Sequence, residues 1–328
     1  MDKIKTGVAG LGNSGIGIHT ELLKRNPNFI IEAVSDIDQV RLTGVSELYK
    51  CKSYSNFEDM CKDDAIDLVV ISTNSDLHSD MTVRALHAGK NVICEKPMAS
   101  NPDGASRMIK AWNETGKMLT VFHNRRLDLD FRYVMQTVRS GKIGKVFKIS
   151  RNILGYSKRS DWQIWKNRGG GHLNNWGTHL IDQMLYLTEK DPELKYSKLG
   201  RILCDGDAED YFHGIFEFED DLSYEIELSY ASMVKLPDWI VCGDKGSLTI
   251  SNSEALIEYE QDGERYKEEE NVEQDNIVVW QGFYNNIYNH LTKNEELLVK
   301  PGEGFKVMEI INEAKKGTEF FNGDANQL

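Results

Sequence analysis

The sequence predicts an α/β protein in two parts: a doubly wound parallel sheet over residues 1–122, then an α/β domain over 123–328 with a large, mostly antiparallel open sheet. Three observations predict it. Short apolar runs alternate with helical periodicity from Ile4 to about Phe122, as right-handed βαβ units require. A glycine-rich turn, Gly10-Leu11-Gly12-Asn13-Ser14-Gly15, separates the first apolar run from the first helical pattern. After Phe122 strand signals dominate, and some of them alternate apolar with polar residues.

The first strand is the run Thr6, Val8, Ala9, and the helix after the glycines carries Ile16, Ile18, Leu22 and Leu23. Gly10 permits the tight turn, Gly12 lets a pyrophosphate approach the backbone, and Gly15 lets the helix pack closely on the strand. The run Phe29–Val34 ends in Ser35-Asp36, and Asp36 lies 21 residues after Gly15, where a carboxylate bonds a ribose hydroxyl. Strand, turn, helix and Asp36 together predict a dinucleotide site of the Rossmann type. Leu68–Ser72 reads as a strand buried on both faces, followed by a turn at Thr73-Asn74-Ser75-Asp76 and a helix from His78 to Ala88. Asn91–Cys94 is the next strand. A helix from Asn101-Pro102 to Thr115 stops at Gly116, and Leu119–Phe122 closes the sheet. The strand ends place Ser72, Thr73, Asn74, Glu95, Lys96 and Asn124 on the ligand-binding rim. Pro97, with its fixed φ, ends the fourth run and aims Lys96 into the crevice.

In the second half a helix is predicted over Asp130–Ser140. Strands follow at Lys145–Asn152, Lys198–Cys204, Tyr211–Phe218, Leu222–Tyr230, Trp239–Cys242 and Ser247–Ser251. Helices over Gly282–Thr292 and Gly302–Lys316 finish the chain, and the acidic cluster Glu268-Glu269-Glu270 reads as a solvated turn. Between the strands stands Gly169-Gly170-Gly171-His172-Leu173-Asn174-Asn175-Trp176-Gly177-Thr178-His179-Leu180-Ile181-Asp182. Asn175, His179 and Asp182 are spaced to share one helical face. His172 and His179 lack metal-ligand spacing and a third ligand, so no metal is expected.

The net charge of -13 argues against sequence-independent binding to nucleic acid or to an anionic membrane surface. The five cysteines are scattered, with no C-x-x-C pair, and read as thiols of a reducing compartment. No apolar run reaches membrane-spanning length and no secretory segment is evident, so a cytoplasmic protein is expected.

The combination of GLGNSG, Ser35-Asp36, Thr73-Asn74 with His78, and Glu95-Lys96-Pro97 resembles the Gfo/Idh/MocA oxidoreductases, which include glucose-fructose oxidoreductase and inositol dehydrogenases. The segment Gly169–Asp182 is similar to that family's second motif, three glycines before an Asp, a Gly, a His and a further Asp. The resemblance covers essentially the whole chain, including the terminal helix with Phe283-Tyr284. It implies a Rossmann domain joined to an open-sheet α/β domain that buries its face in a homodimer or homotetramer.

Carried over, the resemblance makes Gly10, Gly12, Asn13, Ser14, Gly15, Asp36, Ser72, Thr73, Asn74, His78, Glu95, Lys96 and Asn124 the cofactor-binding set. It implies that Lys96 and His179 flank the carbon that exchanges hydride. His179 would be the general base, and Lys96 would hold or polarise the same oxygen. One position departs: Asn175 stands where the family pattern has Asp. Asparagine cannot ionise, and either end of its amide can face the imidazole. Trp162 and Trp165 are candidates for sugar or polyol contacts, with ordinary packing as the other reading. The resemblance adds Arg151, Asn152 and Tyr284 as weaker substrate candidates. Asp36 favours NAD over NADP, with Arg41 the nearest cation in sequence.

The resulting expectation is an NAD-dependent dehydrogenase acting on a secondary hydroxyl, or its ketone, of a sugar, inositol or polyol. Two other readings stand beside it. One is a redox-neutral sugar enzyme that retains its NAD, of epimerase, lyase or glycosidase type. The other is a non-enzymatic NAD- or sugar-sensing regulator.

Overall fold

The computed structural model describes residues 3–321, which divide into two compact units. Unit 1 takes the chain as far as Asn124 together with Ile277–Glu309; unit 2 takes Arg125–Asn276 and the chain from Ile310 onward. The sequence expectation gave all of 123–328 to the second domain. The segment from 277 falls with unit 1 because its side chains complete that unit's core. Phe283 packs edge-on to Phe122 at 4.9 Å and Tyr284 edge-on to Phe29 at 5.4 Å.

Unit 1 holds a six-stranded parallel sheet: β1 (Ile4–Ala9), β2 (Phe29–Ser35), β3 (Lys52–Tyr54), β4 (Leu68–Ile71), β5 (Asn91–Cys94) and β6 (Leu119–Val121), in the order β3-β2-β1-β4-β5-β6. Every residue of β4 is buried, as a central strand covered on both faces demands. The connecting helices are α1 (Glu21–Arg25), α2 (Gln39–Tyr49), α3 (Phe57–Cys61), α4 (His78–His87) and α5 (Pro102–Thr115). Local signals set their ends. Asn101 caps α5 by accepting the Gly104 N–H at 2.8 Å, Pro102 starts it, and Gly116 ends it at φ +63°. The first helical segment begins as a π-turn, Gly15–Thr20, and its buried side chains are His19, Thr20, Leu22 and Leu23. Ile16, expected on the apolar face, is exposed because the wider π-turn rotates it outward.

Unit 2 begins with α6 (Leu129–Ser140) and continues through β7 (Val146–Leu154), α7 (Thr178–Thr188), β8 (Glu193–Gly200), β9 (Tyr211–Glu217), β10 (Ser223–Ser229), β11 (Trp239–Gly243), β12 (Gly246–Ser251), β13 (Glu254–Gln261) and β14 (Glu264–Asn271). The eight strands form one sheet, β14-β13-β12-β11-β7-β10-β9-β8, antiparallel except for the β7–β10 pair. Tyr224, Ile226 and Leu228 alternate onto its covered face, where Trp239 stacks on Phe131 of α6 at 5.9 Å. The last helices are α8 (Asn276–Val279), α9 (Gln281–Lys293) and α10 (Pro301–Lys315).

Two sequence expectations are corrected here. Glu268-Glu269-Glu270 is no turn but part of β14, an edge strand whose charges protect its open side. The strand expected at Lys198–Cys204 is β8, ending at Gly200. The next amides, of Ile202, Leu203 and Cys204, donate at 2.7 Å to the carboxylate of Asp210 instead of to a ladder. Among the described residues no helix is long and apolar enough to cross a membrane.

Candidate active site

In unit 1 the strand register builds the rim. Ala9 is level with Ser35 and Ile71, Ile71 with Cys94, and Cys94 with Val121. Gly10, Asp36, Ser72, Glu95 and Phe122, each one residue beyond its strand, therefore emerge together at the carboxyl edge, where doubly wound sheets take ligands. Gly10 has φ +87°, and a Cβ on it would lie 2.6 Å from the Ser72 carbonyl oxygen. A Cβ on Gly15 would lie 2.0 Å from the Gly10 oxygen. The protein's own packing demands both glycines. At Gly12 a Cβ would meet nothing within 4 Å, so the backbone there faces open space. No side chain caps the helical segment that starts at Gly15. An open glycine edge before an uncapped helix fits a dinucleotide pyrophosphate.

Asp36 is half-buried. Its Oδ2 accepts the Leu11 N–H at 2.6 Å and its Oδ1 the Asp38 N–H at 2.8 Å. Each oxygen keeps capacity for a second hydrogen bond, so a ribose hydroxyl suits it. Ile37 beside it is 96% exposed. Arg41 pairs with Asp38 at 3.3 Å. Asn13 and Ser14 lie in the glycine turn, and Asn74 precedes a short helical turn at Ser75–Leu77. The Ser72 hydroxyl donates to the Gly10 carbonyl at 2.7 Å and ties β4 to the glycine turn. Thr73 contacts the Met81 sulfur. His78 is buried. Its two ring nitrogens lie 2.8 Å from the Pro97 carbonyl and 3.1 Å from the Thr73 carbonyl, so it joins two rim loops. Burial pushes its pKa down, against those two bonds. Asn124 is buried at the start of a short turn, Asn124–Leu127.

Beneath Lys96 lies a hydrogen-bonded chain that the sequence reading missed. Tyr284 Oη is 2.7 Å from His19 Nδ1, His19 Nε2 is 3.2 Å from Glu95 Oε1, and Glu95 Oε2 accepts the Lys96 N–H at 2.9 Å. Burial, and then the charge of Glu95, raise the Tyr284 phenol well above its ordinary value, so it keeps its proton and donates to Nδ1. Burial also works to raise Glu95, but the His19 hydrogen bond and neighbouring charges including Lys96 outweigh it and hold the carboxyl below its ordinary value. Nε2 then carries the His19 proton toward the carboxylate. The Tyr284 and His19 bonds run one way into the Glu95 carboxylate, whose other oxygen holds the N–H of Lys96, and the peptide bond from Lys96 to Pro97 is cis.

Unit 2 carries the second candidate cluster. Gly171, at φ +113°, passes so close to Glu209 that a Cβ would lie 2.2 Å from its carboxylate. The next residues form a π-turn, Leu173–Gly177, running directly into α7. Asn175 lies in that turn and His179 in the first turn of α7, buried, with its ring edge-on to Trp176 at 6.1 Å. Asp182 forms a two-pronged buried ion pair with Arg126, at 2.9 and 2.6 Å. Asn175 Nδ2 donates to the Tyr230 hydroxyl at 3.2 Å. Trp162 is half-buried in a short turn and Trp165 is exposed.

Three predicted substrate residues have other partners. Arg151 lies over Trp239 at 4.6 Å and donates to the Asp238 carbonyl at 2.9 Å, while Asn152 donates to the Pro237 carbonyl at 2.8 Å. As consecutive strand residues they point to opposite faces of the sheet. Tyr284 is fully buried on His19. The residues that sequence reasoning missed are His19, Tyr230 and Glu209. His19, four residues after Gly15, meets partners far away in the chain, which no local pattern shows.

Residues 4–123 match the family described as oxidoreductase family, NAD-binding Rossmann fold, and residues 131–249 match the GFO/IDH/MocA C-terminal domain. The chain is 29% identical over 217 residues to the scyllo-inositol 2-dehydrogenase (NADP(+)) IolW of Bacillus subtilis, covering 65% of this chain and 59% of that protein. It is 34% identical over 143 residues to the myo-inositol 2-dehydrogenase of Thermotoga maritima, covering 43% and 42%. The matched stretches span 59%, 52% and 52% of the length of the first three curated relatives. Among solved structures, an NAD-binding protein from Listeria innocua superposes with a TM-score of 0.85 at 24% identity, covering 97% of this chain and 98% of that one.

Proposed function

Because this chain belongs to the Gfo/Idh/MocA family of oxidoreductases, we propose that it is a nicotinamide-dependent dehydrogenase of a secondary hydroxyl, or the matching ketone, in a sugar, inositol or polyol. The observation that carries the reading is the rim of unit 1, where the open edge at Gly12, the Asp36 carboxylate and the braced Lys96 follow β1, β2 and β5 at one edge of the sheet. The nicotinamide, when bound, supplies the hydride acceptor or donor. Lys96 holds the reacting oxygen as a cationic donor, its backbone pinned by Glu95. His179 takes the hydroxyl proton during oxidation and returns it during reduction. Asn175 orients His179, and Trp162 and Trp165 offer aromatic faces for the CH side of a polyol.

The names of the Bacillus and Thermotoga relatives support an inositol-like substrate. Asp36, with Arg41 turned to Asp38, supports NAD. The Bacillus relative's name supports NADP, so both nucleotides belong in the assay. The reading takes the protein to be cytoplasmic, supported by its five free cysteines. It takes the open sheet face to be covered by a second copy in a dimer or tetramer, which gel filtration tests.

The deciding experiment is reduced-nucleotide absorbance across inositols, sugars, sugar acids and polyols, with NAD and with NADP. Net reduction with one substrate class is the expected result. Lys96→Ala is expected to lower kcat by about 10²–10⁴ with nucleotide affinity nearly intact; wild-type turnover in that variant would remove Lys96 from the mechanism. The Asn175 substitution supports a second, redox-neutral reading, which product formation without net nucleotide reduction would favour.

A further inference from the structure

Only the carbonyl end of an asparagine amide can replace a carboxylate oxygen as a hydrogen-bond acceptor; the other end donates. What surrounds Asn175 decides which end is presented. Tyr230, the residue after β10, is held on several sides. Its N–H donates to the Asp210 carbonyl at 3.0 Å, and its own carbonyl accepts the Ser157 N–H at 3.0 Å. Its ring stacks on His172 with centroids 3.7 Å apart and planes at 27°. Its hydroxyl receives the Asn175 amide at 3.2 Å, and the Arg159 guanidinium, anchored on Asp161 at 3.1 Å, lies over its ring at 5.7 Å. An amide nitrogen can only donate, so the phenolic oxygen serves there as an acceptor.

We propose that Tyr230 is a positioning residue for the proposed reaction: its hydroxyl takes the amide nitrogen of Asn175 and so turns the Asn175 carbonyl oxygen toward the helix face it shares with His179. The two residues are four apart across a π-turn and the first turn of α7, close to one full turn, which puts them on one side of the helix. With the nitrogen engaged by Tyr230, the amide offers the imidazole an acceptor. An accepting oxygen selects the tautomer with a proton on the facing nitrogen and leaves the other nitrogen as a base. In this chain the tyrosine and the asparagine together do the orienting work of one carboxylate.

The kinetic arm of the test rests on the dehydrogenase reading; the spectroscopic arm does not. Tyr230→Phe keeps the ring that stacks on His172 and removes only the hydroxyl. Asn175→Asp presents oxygen at both ends, so it needs no orienting partner. In the whole protein, labelled with ¹⁵N-histidine and assigned with His179→Gln, Tyr230→Phe is expected to change the tautomer populations of His179. The same change in the Asn175→Asp background is expected to leave them as they were. Under turnover, Tyr230→Phe is expected to lower kcat about tenfold with little change in KM, the size of one lost hydrogen bond, and to have no such effect in the Asn175→Asp background. Identical His179 signals with and without the hydroxyl would overturn the proposal. So would an equal loss from Tyr230→Phe in both backgrounds, which would mean that Tyr230 acts independently of Asn175. Absence of turnover with every substrate would count against the dehydrogenase reading alone, and the nitrogen shifts would still decide the role of Tyr230.

Discussion

Glu95 is a carboxylate placed where burial alone would neutralise it, and it stays ionised because His19 and the Lys96 main chain bond to the charged form. A folded-state pKa below the unfolded one contributes stability that is complete above the unfolded value and disappears as pH falls through the folded value. Wild type is therefore expected to exceed Glu95→Gln in urea stability at neutral pH, with the gap narrowing below the ordinary glutamate range; a pH-independent gap would contradict the ionised assignment. Tyr284→Phe leaves His19 Nδ1 buried without its donor and is expected to cost about 1–3 kcal/mol, readable as a fall in thermal midpoint. At this scale the sequence was only partly legible. Lys96 and Asp36 could be named from local motifs and strand ends. His19 could not, because its partners Glu95 and Tyr284 lie 76 and 265 residues away. Tyr284 entered only by family resemblance, and nothing near it in the chain reveals that its hydroxyl meets His19.

The glycine turn separates two kinds of glycine that a motif writes with one letter. Gly10→Ala forces a side chain into the Ser72 backbone at a positive φ and is expected to give unstable protein. Gly12→Ala meets no protein atom, so it is expected to melt like wild type yet lose at least about tenfold in nucleotide affinity by calorimetry, as phosphate-backbone bonds are lost. Equal affinity would mean that the open edge at Gly12 is not where the nucleotide lies. Strands and helices with strong local signals, such as β4 and the capped α5, were legible. The β13–β14 hairpin was not, because the charges of β14 hid a strand whose turn, Asp262-Gly263, has the paired positive φ values of a two-residue hairpin. Gly263→Ala, at φ +82°, is expected to cost about 1–2 kcal/mol, measured by chemical denaturation.

For the molecule as a whole, the two-part α/β architecture was legible because periodicity changes character near Phe122. The return of Ile277–Glu309 to unit 1 was not, because no local pattern says which core an amphipathic helix joins. That return is held by more than aromatic packing: Asn26 Nδ2 donates to Gln281 and Asn285 at 3.1 and 2.9 Å, and the Thr120 hydroxyl donates to the Val299 carbonyl at 2.8 Å. A fragment ending at residue 124 is accordingly expected to bind hydrophobic dye and lack a cooperative melt, and a peptide spanning 277–309 is expected to restore one. A sharp melt of the fragment alone would show that the returning segment is dispensable.

The returning segment also sets a schedule on the ribosome. The six parallel strands are all synthesised before residue 124, but the helix that closes over Phe29 and Phe122 follows some 150 residues later. At ordinary elongation rates that is a wait of roughly ten to thirty seconds, during which the nascent first unit shows an uncovered aromatic cleft to solvent. Chaperone capture of the newborn chain would be concentrated in that interval, and destabilising changes in α9 would act first on the yield of synthesis.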